Sequence, residues 1–249
     1  MGSYTAKQIE EISQEFESIP SMKSELLNWN KIFVSDNSEK YLYQGYFRRL
    51  NLMSHSIKKI FQICPLDTED LNEDQRSDTT VFLQAFIINL YGAMDNLAHV
   101  INFEKKLNLP NHKVGLTKKY VDLRGSLSSE FVKNLKVLEQ SDWFSYLIEY
   151  RDTLAHRIPL YIPPYLVPKS DVTRFMELRQ RLDELQGDDD SPEILRIERQ
   201  LMDIGNFVPV ISHDVKETRF NVYFHVQLIS DLRTILKISE WVREEIANA

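Results

Sequence analysis

The chain has 249 residues, of which 43% are hydrophobic, 11% aromatic and 27% charged, with a formal net charge of −7. That is enough apolar material for a sizeable core in one large domain or two small ones, and it excludes a disordered chain. Cys64 is the single cysteine, which excludes an intramolecular disulfide and a Cys-based zinc site and points to a reducing compartment, the cytoplasm.

Only 7 Gly and 9 Pro punctuate the chain, several of the prolines between residues 159 and 168, so long helices are the expectation. The stretch Met1 to Phe16 has no apolar run of signal-peptide length, and Ala6 stands where myristoylation needs Ser or Thr. Residues 41 to 64 carry apolar side chains at three- and four-residue steps (Tyr43, Tyr46, Leu50, Met53, Ile57, Ile60, Cys64), one face of a long helix ended by Pro65. Residues 81 to 103 are apolar at 16 of 23 positions, which predicts a helix wrapped on nearly every side. Gln84, Asn89, Asp95, Asn96, His99 and Asn102 interrupt it too often for a bilayer span, so no membrane is expected as a partner.

From Lys105 to Lys136, eight Lys/Arg face only Asp122 and Glu130, a local excess of positive charge inside an acidic chain. A solvated face is one reading and a landing strip for a polyanion, through Lys118 and Lys119 among others, is the second. Two more helices are predicted over Ser126 to Val137 and Asp142 to Arg157, the latter closed by Pro159. The segment P-L-Y-I-P-P-Y-L-V-P, Pro159 to Pro168, should run extended. Beyond it, Phe175, Leu178, Leu182 and Leu185 match Ile194, Ile197, Leu201 and Ile204 as the two stripes of a helical hairpin. Gly187 is placed to end its first helix, and Ser191-Pro192-Glu193 to start its second. Phe207 to His213 reads as a short extended segment, and Val222 to Ile246 as a last amphipathic helix. The fold class expected is therefore all-α, an up-and-down helix bundle over 1–158 and 214–249 with an insertion over 159–213.

Chemistry is concentrated in D-W-F-S-Y-L-I-E-Y-R-D-T-L-A-H-R, Asp142 to Arg157. At about 100° per residue, Arg151 falls in the middle of an apolar arc formed by Trp143, Phe144, Tyr146, Leu147, Ile148, Tyr150, Leu154 and Ala155. A guanidinium buried there needs a carboxylate, a carbonyl or an anionic ligand. Asp152 and His156, four apart, share one side of the helix, where the carboxylate and the helix C-terminus both favour a protonated imidazole. An acid/base histidine and a simple C-terminal capping histidine both fit that placement.

Arg151-Asp152-Thr153-Leu154-Ala155-His156 resembles the R-x4-6-H motif of the HEPN superfamily, α-helical bundles many of which are metal-independent RNA endonucleases. The bare spacing recurs at Arg49 to His55 and Arg219 to His225, but only the first-named segment combines a polar second residue with a small residue before the histidine. The resemblance implies a catalytic set of Arg151, His156 and Asp152. His156 would be the acid/base, Arg151 the clamp on the phosphate and Asp152 the orienter of His156, leaving a 2′,3′-cyclic phosphate and a 5′-hydroxyl. It also implies a homodimer and no cofactor, with RNA as substrate bound by Lys118, Lys119 and Arg157, and a place as the toxic or defensive half of a pair with an antitoxin protein. On one ideal helix Arg151 and His156 point about 140° apart and stand about 7.5 Å apart along the axis. Either the last turn loosens, or the site is composite across a two-fold axis.

The stripe Gln84, Tyr91, Asp95, His99, Asn102 needs hydrogen-bond partners if buried. Asp95 is the candidate carboxylate for Arg151, the alternative being that it binds His99 within its own helix. Competing functions are a catalytically silent HEPN-like module binding RNA, nucleotide or protein, and a metal site built from Asp95, His99, Asp152 and His156. No metal is expected, because the Glu-x-x-His pairs of di-iron bundles are missing from the sequence.

Overall fold

The longest helix, α4 (Glu73–Glu104), is the element around which the others are arranged. This computed structural model describes residues 3–25, 29, 35–156, 159–185, 191–215 and 218–248. Within them, the side chains of 21–25, 152, 153, 155, 156, 202, 213–215 and 218–220 also lie outside the description.

α4 starts two turns before the apolar stretch that predicts it. Asn72 Oδ1 accepts from the Gln75 backbone N–H at 2.9 Å while Gln75 Oε1 accepts from the Asn72 N–H at 3.0 Å, a reciprocal cap with Glu73 and Asp74 behind it. Its most apolar window has a mean hydropathy of 1.2, long and apolar enough to cross a membrane by composition alone, yet half of that window is buried against other helices.

The predicted helix at 41–64 is part of a longer run: α2 (Asp36–Lys40), a π-helical stretch Tyr41–Tyr46, and α3 (Phe47–Ile63) before Pro65. Of its predicted stripe, Tyr46, Leu50, Met53, Ile57, Ile60 and Cys64 are buried and Tyr43 is half-buried. The π-helical stretch and α3 both lie close to α4, with glycine at one crossing point of each. A Cβ on Gly92 would sit 2.4 Å from the Arg49 guanidinium carbon, and one on Gly45 2.8 Å from Asn96 Cγ. The helix α1 (Ala6–Glu25), unassigned from sequence, lies on the last helix, and Phe16 stacks on Phe61 of α3 at 4.3 Å.

A loop with α5 (Val121–Arg124) leads to α6 (Ser129–Glu139), capped by Ser128 Oγ on the Phe131 N–H at 3.2 Å, and then to α7 (Asp142–His156), packed on α4 and α6. Residues 159–168 run extended as expected. Tyr161 pairs with Ser212, Leu166 pairs with Asn206, and Leu160 and Ile162 join Phe207 and Ile211 in the main core. The hairpin is α8 (Val172–Glu184) and α9 (Pro192–Ile204), with Ser191 Oγ capping the Ile194 N–H at 3.2 Å and Ile194, Ile197, Leu201 and Ile204 buried. Gly187 lies outside the described residues.

The chain is mostly helical, in keeping with the all-α class expected, with one small strand pair that the expectation did not include. β1 (Val210–Val215) and β2 (Thr218–Tyr223) form an antiparallel hairpin with Val210 opposite Tyr223, so the last helix, α10 (Phe224–Ala247), begins after Val222. α10 closes the core with Phe224, Leu228, Leu232, Ile235, Ile238 and Val242. His225 is wholly buried there: one ring nitrogen bonds the Cys64 carbonyl at 2.7 Å, the other lies 3.2 Å from the Tyr4 hydroxyl. A carbonyl only accepts, so Nε2 carries the proton and Nδ1 accepts from Tyr4. Burial, only partly offset by the Cys64 bond, drives the imidazole pKa down to about 4. The Arg219–His225 spacing therefore ends in a core histidine.

Candidate functional site

α7 buries a narrower face than its apolar arc suggests. Leu147 and Tyr150 are buried, whereas Trp143, Phe144, Tyr146 and Leu154 are only half-buried against the core. Arg151, expected in the middle of a buried arc, is instead exposed, and its guanidinium carbon lies 4.8 Å from the ring centroid of Tyr91 on α4. A cation over a tyrosine face is an attractive arrangement.

Tyr91 is tied to its neighbours by charge. Burial raises its phenol pKa, Asp95 adds to the rise, and Arg151 and Lys119 oppose it. For Asp95 burial again raises the pKa, against the pull of Arg151, Arg49 and Lys119. The carboxylate expected to answer Arg151 thus lies within its field, shared with two further cations. Arg49 is held through Nε to Asn96 Oδ1 at 2.9 Å and Nη1 to Asn89 Oδ1 at 3.2 Å. Lys119 has its pKa raised first by a hydrogen bond with Tyr120, and Arg151 works against that rise. Its ammonium lies 4.8 Å from the centroid of the Tyr120 ring.

The rest of the polar stripe on α4 has structural partners. Gln84 Nε2 donates to the Leu160 carbonyl at 3.2 Å, and Asn102 clasps Leu109 by accepting from its N–H at 3.0 Å and donating to its carbonyl at 3.3 Å. His99 stacks on Tyr41 at 4.5 Å; its Nδ1 is buried without a hydrogen-bond partner, so the internal Asp95–His99 bond through that atom is not made. Burial lowers the His99 pKa, which keeps the ring neutral.

The basic segment is partly spent on structure. Lys105 Nζ meets Glu245 at 2.5 Å, Lys113 meets Asp122 at 2.9 Å and Arg124 meets Glu139 at 2.6 Å. Glu245 also takes both the N–H and the hydroxyl of Ser128. Burial works against its charge, but the bonds from Lys105 and Ser128 outweigh it and lower the pKa. Lys118 and Lys119 are exposed, the former anchored only by its backbone N–H to Glu139 at 2.6 Å.

Asp152 and His156 fall on α7, but their side chains, like all of Arg157, lie outside the described residues. α7 is regular as far as His156, which removes the loosened last turn as a way of bringing Arg151 and His156 together. Among the described residues no three His, Cys, Asp or Glu side chains gather to hold a metal ion.

Two features had no sequence signal. Tyr120 rests on Gly115, where a Cβ would come 2.1 Å from ring carbon Cε2, so the loop holds the ring in place. At the other end of α7, Asp231 of α10 is buried and its Oδ1 accepts from Trp143 Nε1 and Gln227 Nε2, both at 2.6 Å. Burial outweighs those two bonds and pushes its carboxyl pKa up to about 7. The candidate face is thus an exposed arginine, a lysine and two tyrosines around a half-buried carboxylate, an arrangement compatible with an anion that has planar groups attached. No family model, curated protein or solved structure matches this chain.

Proposed function

We propose that this protein is an RNA-directed helical bundle of HEPN type that cleaves RNA without a metal, using Arg151 to clamp the phosphate and His156 as acid/base. The observation that supports this most is the exposed Arg151 guanidinium seated over Tyr91 with Lys119 in its field. An arginine retained only as half of a buried ion pair has no reason to lie at the surface on an aromatic ring beside a second cation. Transesterification by the 2′-hydroxyl needs a proton acceptor, a proton donor and a cation for the charge growing on the phosphate, all of which His156 and Arg151 supply. Because α7 is regular, the two would meet only across a pair of subunits, so the reading carries a homodimer with it.

Incubation with a mixed RNA pool in excess chelator should give fragments with 5′-hydroxyl ends. His156→Ala should remove the cleavage and keep the binding. Arg151→Met should lose activity while its thermal midpoint stays within a few degrees of the parent, since the side chain is exposed. Cleavage that requires Mg²⁺, or an Arg151→Met protein as active as the parent, would overturn the proposal. A silent RNA-binding module would bind the pool and release no fragments.

A further inference from the structure

Beside Arg151 lies a cavity of about 420 Å³ lined by His112, Lys113, Lys119, Tyr120, Val121 and Asp122. That is at the small end of the range in which ligand sites fall. Its walls come from a single 3₁₀ turn (Asn111–Lys113) and the start of α5, and each wall is fixed from behind. Tyr120 is pressed on Gly115, and Lys113 is braced by Asp122 at 2.9 Å. With Lys113 and Asp122 answering each other, the ammonium of Lys119 is the charge at this cavity that no described carboxylate pairs with. A positive charge answered only through space, by Asp95, suits one phosphodiester.

Lys119 and Tyr120 also belong to the Arg151 cluster. Both act electrostatically on Tyr91, and Lys119 acts on Asp95. The cavity therefore lies near the Arg151 face, within reach of a strand seated on that face. We propose that the Lys119–Tyr120 cavity is a second phosphate subsite, which holds a phosphodiester neighbouring the one clamped by Arg151 and makes the preferred ligand a single strand carrying at least two phosphates. This rests on the RNA reading above and deepens it.

The preference for single strands follows from the site's shape. A phosphodiester enters a concave site by turning away from its neighbours, which an unpaired strand does at little cost and a duplex locked in A-form does not. Tyr120 adds a ring edge for the attached base or ribose, and His112 an imidazole at the rim. Lys119 would then leave the face of Tyr120 for the phosphate, exchanging a cation–π contact for a stronger charge-assisted hydrogen bond.

The experiment is fluorescence anisotropy in chelator with 3′-labelled oligouridylates bearing one, two or three phosphates, each with 2′-deoxyribose at every step so that none is cleaved. The parent should gain affinity sharply on addition of the second phosphate. Lys119→Glu should abolish that gain, so that the two- and three-phosphate ligands bind no more tightly than the one-phosphate ligand, and lower the slope of log affinity against log salt by about 0.7 for the longer ligands. Tyr120→Ala should weaken the same increment, and Tyr120→Phe should retain it. Arg151→Ala should instead weaken all lengths alike. If Lys119→Glu keeps the parent's length dependence while Arg151→Ala weakens binding, the second subsite is wrong and the Arg151 reading stands. If the parent binds none of the ligands nor any RNA, both are wrong. Equal affinity for a blunt duplex of the same length would overturn the single-strand preference. Each variant replaces a surface or loop side chain, and its helicity is checked first.

Discussion

Two buried titratable side chains, neither on the proposed site, set opposing pH dependences on the stability of the fold. Asp231 binds its proton more tightly folded than unfolded, with a pKa near 7 against about 3.9 for a free aspartate. Its stabilising contribution is therefore complete below about pH 4 and is lost as the pH rises to 7, a change of about 4 kcal/mol. His225 behaves in the opposite way: with a folded pKa of about 4, its contribution is complete above pH 6.5 and about 3 kcal/mol is lost as the pH falls to 4. Between those limits the two largely cancel. Asp231→Asn keeps an oxygen for Trp143 and Gln227 but cannot ionise, so it should unmask the histidine. Urea midpoints measured at pH 4.5 and pH 8 should show the variant gaining on the parent at pH 8 and losing ground on acidification. An unchanged difference between the two pH values would mean that Asp231 does not titrate in this range.

At the level of elements, the strap from Pro159 to Pro168 and the helical hairpin behave differently towards the core. Leu160, Ile162, Phe207 and Ile211 are part of it, while α8 and α9 pack mainly on each other. The backbones of Leu166 and Asn206 already bond in both directions, at 2.8 and 3.1 Å, so the ends of the hairpin are held together without it. Replacing Asp171 to Gly205 by a short Gly-Ser loop should therefore leave one cooperative unfolding transition, with a thermal midpoint close to the parent's. Loss of that transition would show that the hairpin supports the bundle. The helices and this hairpin were legible because apolar stripes at three- and four-residue steps report burial directly. The β-hairpin was not, because no Asn-Gly or Asp-Gly turn separates its strands and β2 runs straight into α10. α1 and the first turns of α4 escaped because their stabilisation comes from caps and from one-sided contact, which leave little apolar periodicity. The motif segment on α7 was visible, but the exposure of Arg151 was not: a helical wheel scores Trp143, Phe144 and Tyr146 as core although each is only half-buried. Tyr120 and Gly115 came together through loop geometry that spacing does not encode.

For the whole molecule, the proposed mechanism together with the regularity of α7 would tie activity to association. If Arg151 of one subunit works with His156 of another, Arg151→Ala and His156→Ala proteins, each inactive alone, should regain activity when refolded together. Random pairing makes half the dimers mixed, each with one intact site of two, so the yield should be about a quarter of the parent's. No recovery, with mixed dimers demonstrated by differential tagging, would place both groups within one subunit. The architecture also bears on how the chain is made. α10 is the final long element in sequence, yet Phe224, Leu228, Leu232, Ile235, Ile238 and Val242 complete the core, and His225 and Glu245 lock it to Cys64 and to Lys105 and Ser128. While the ribosome is still reading the codons for the β-hairpin, the apolar side of α4 that α10 will cover has nothing against it. A nascent chain stalled at that point is a natural client for chaperones that bind exposed apolar helices, and its release from them awaits the emergence of α10.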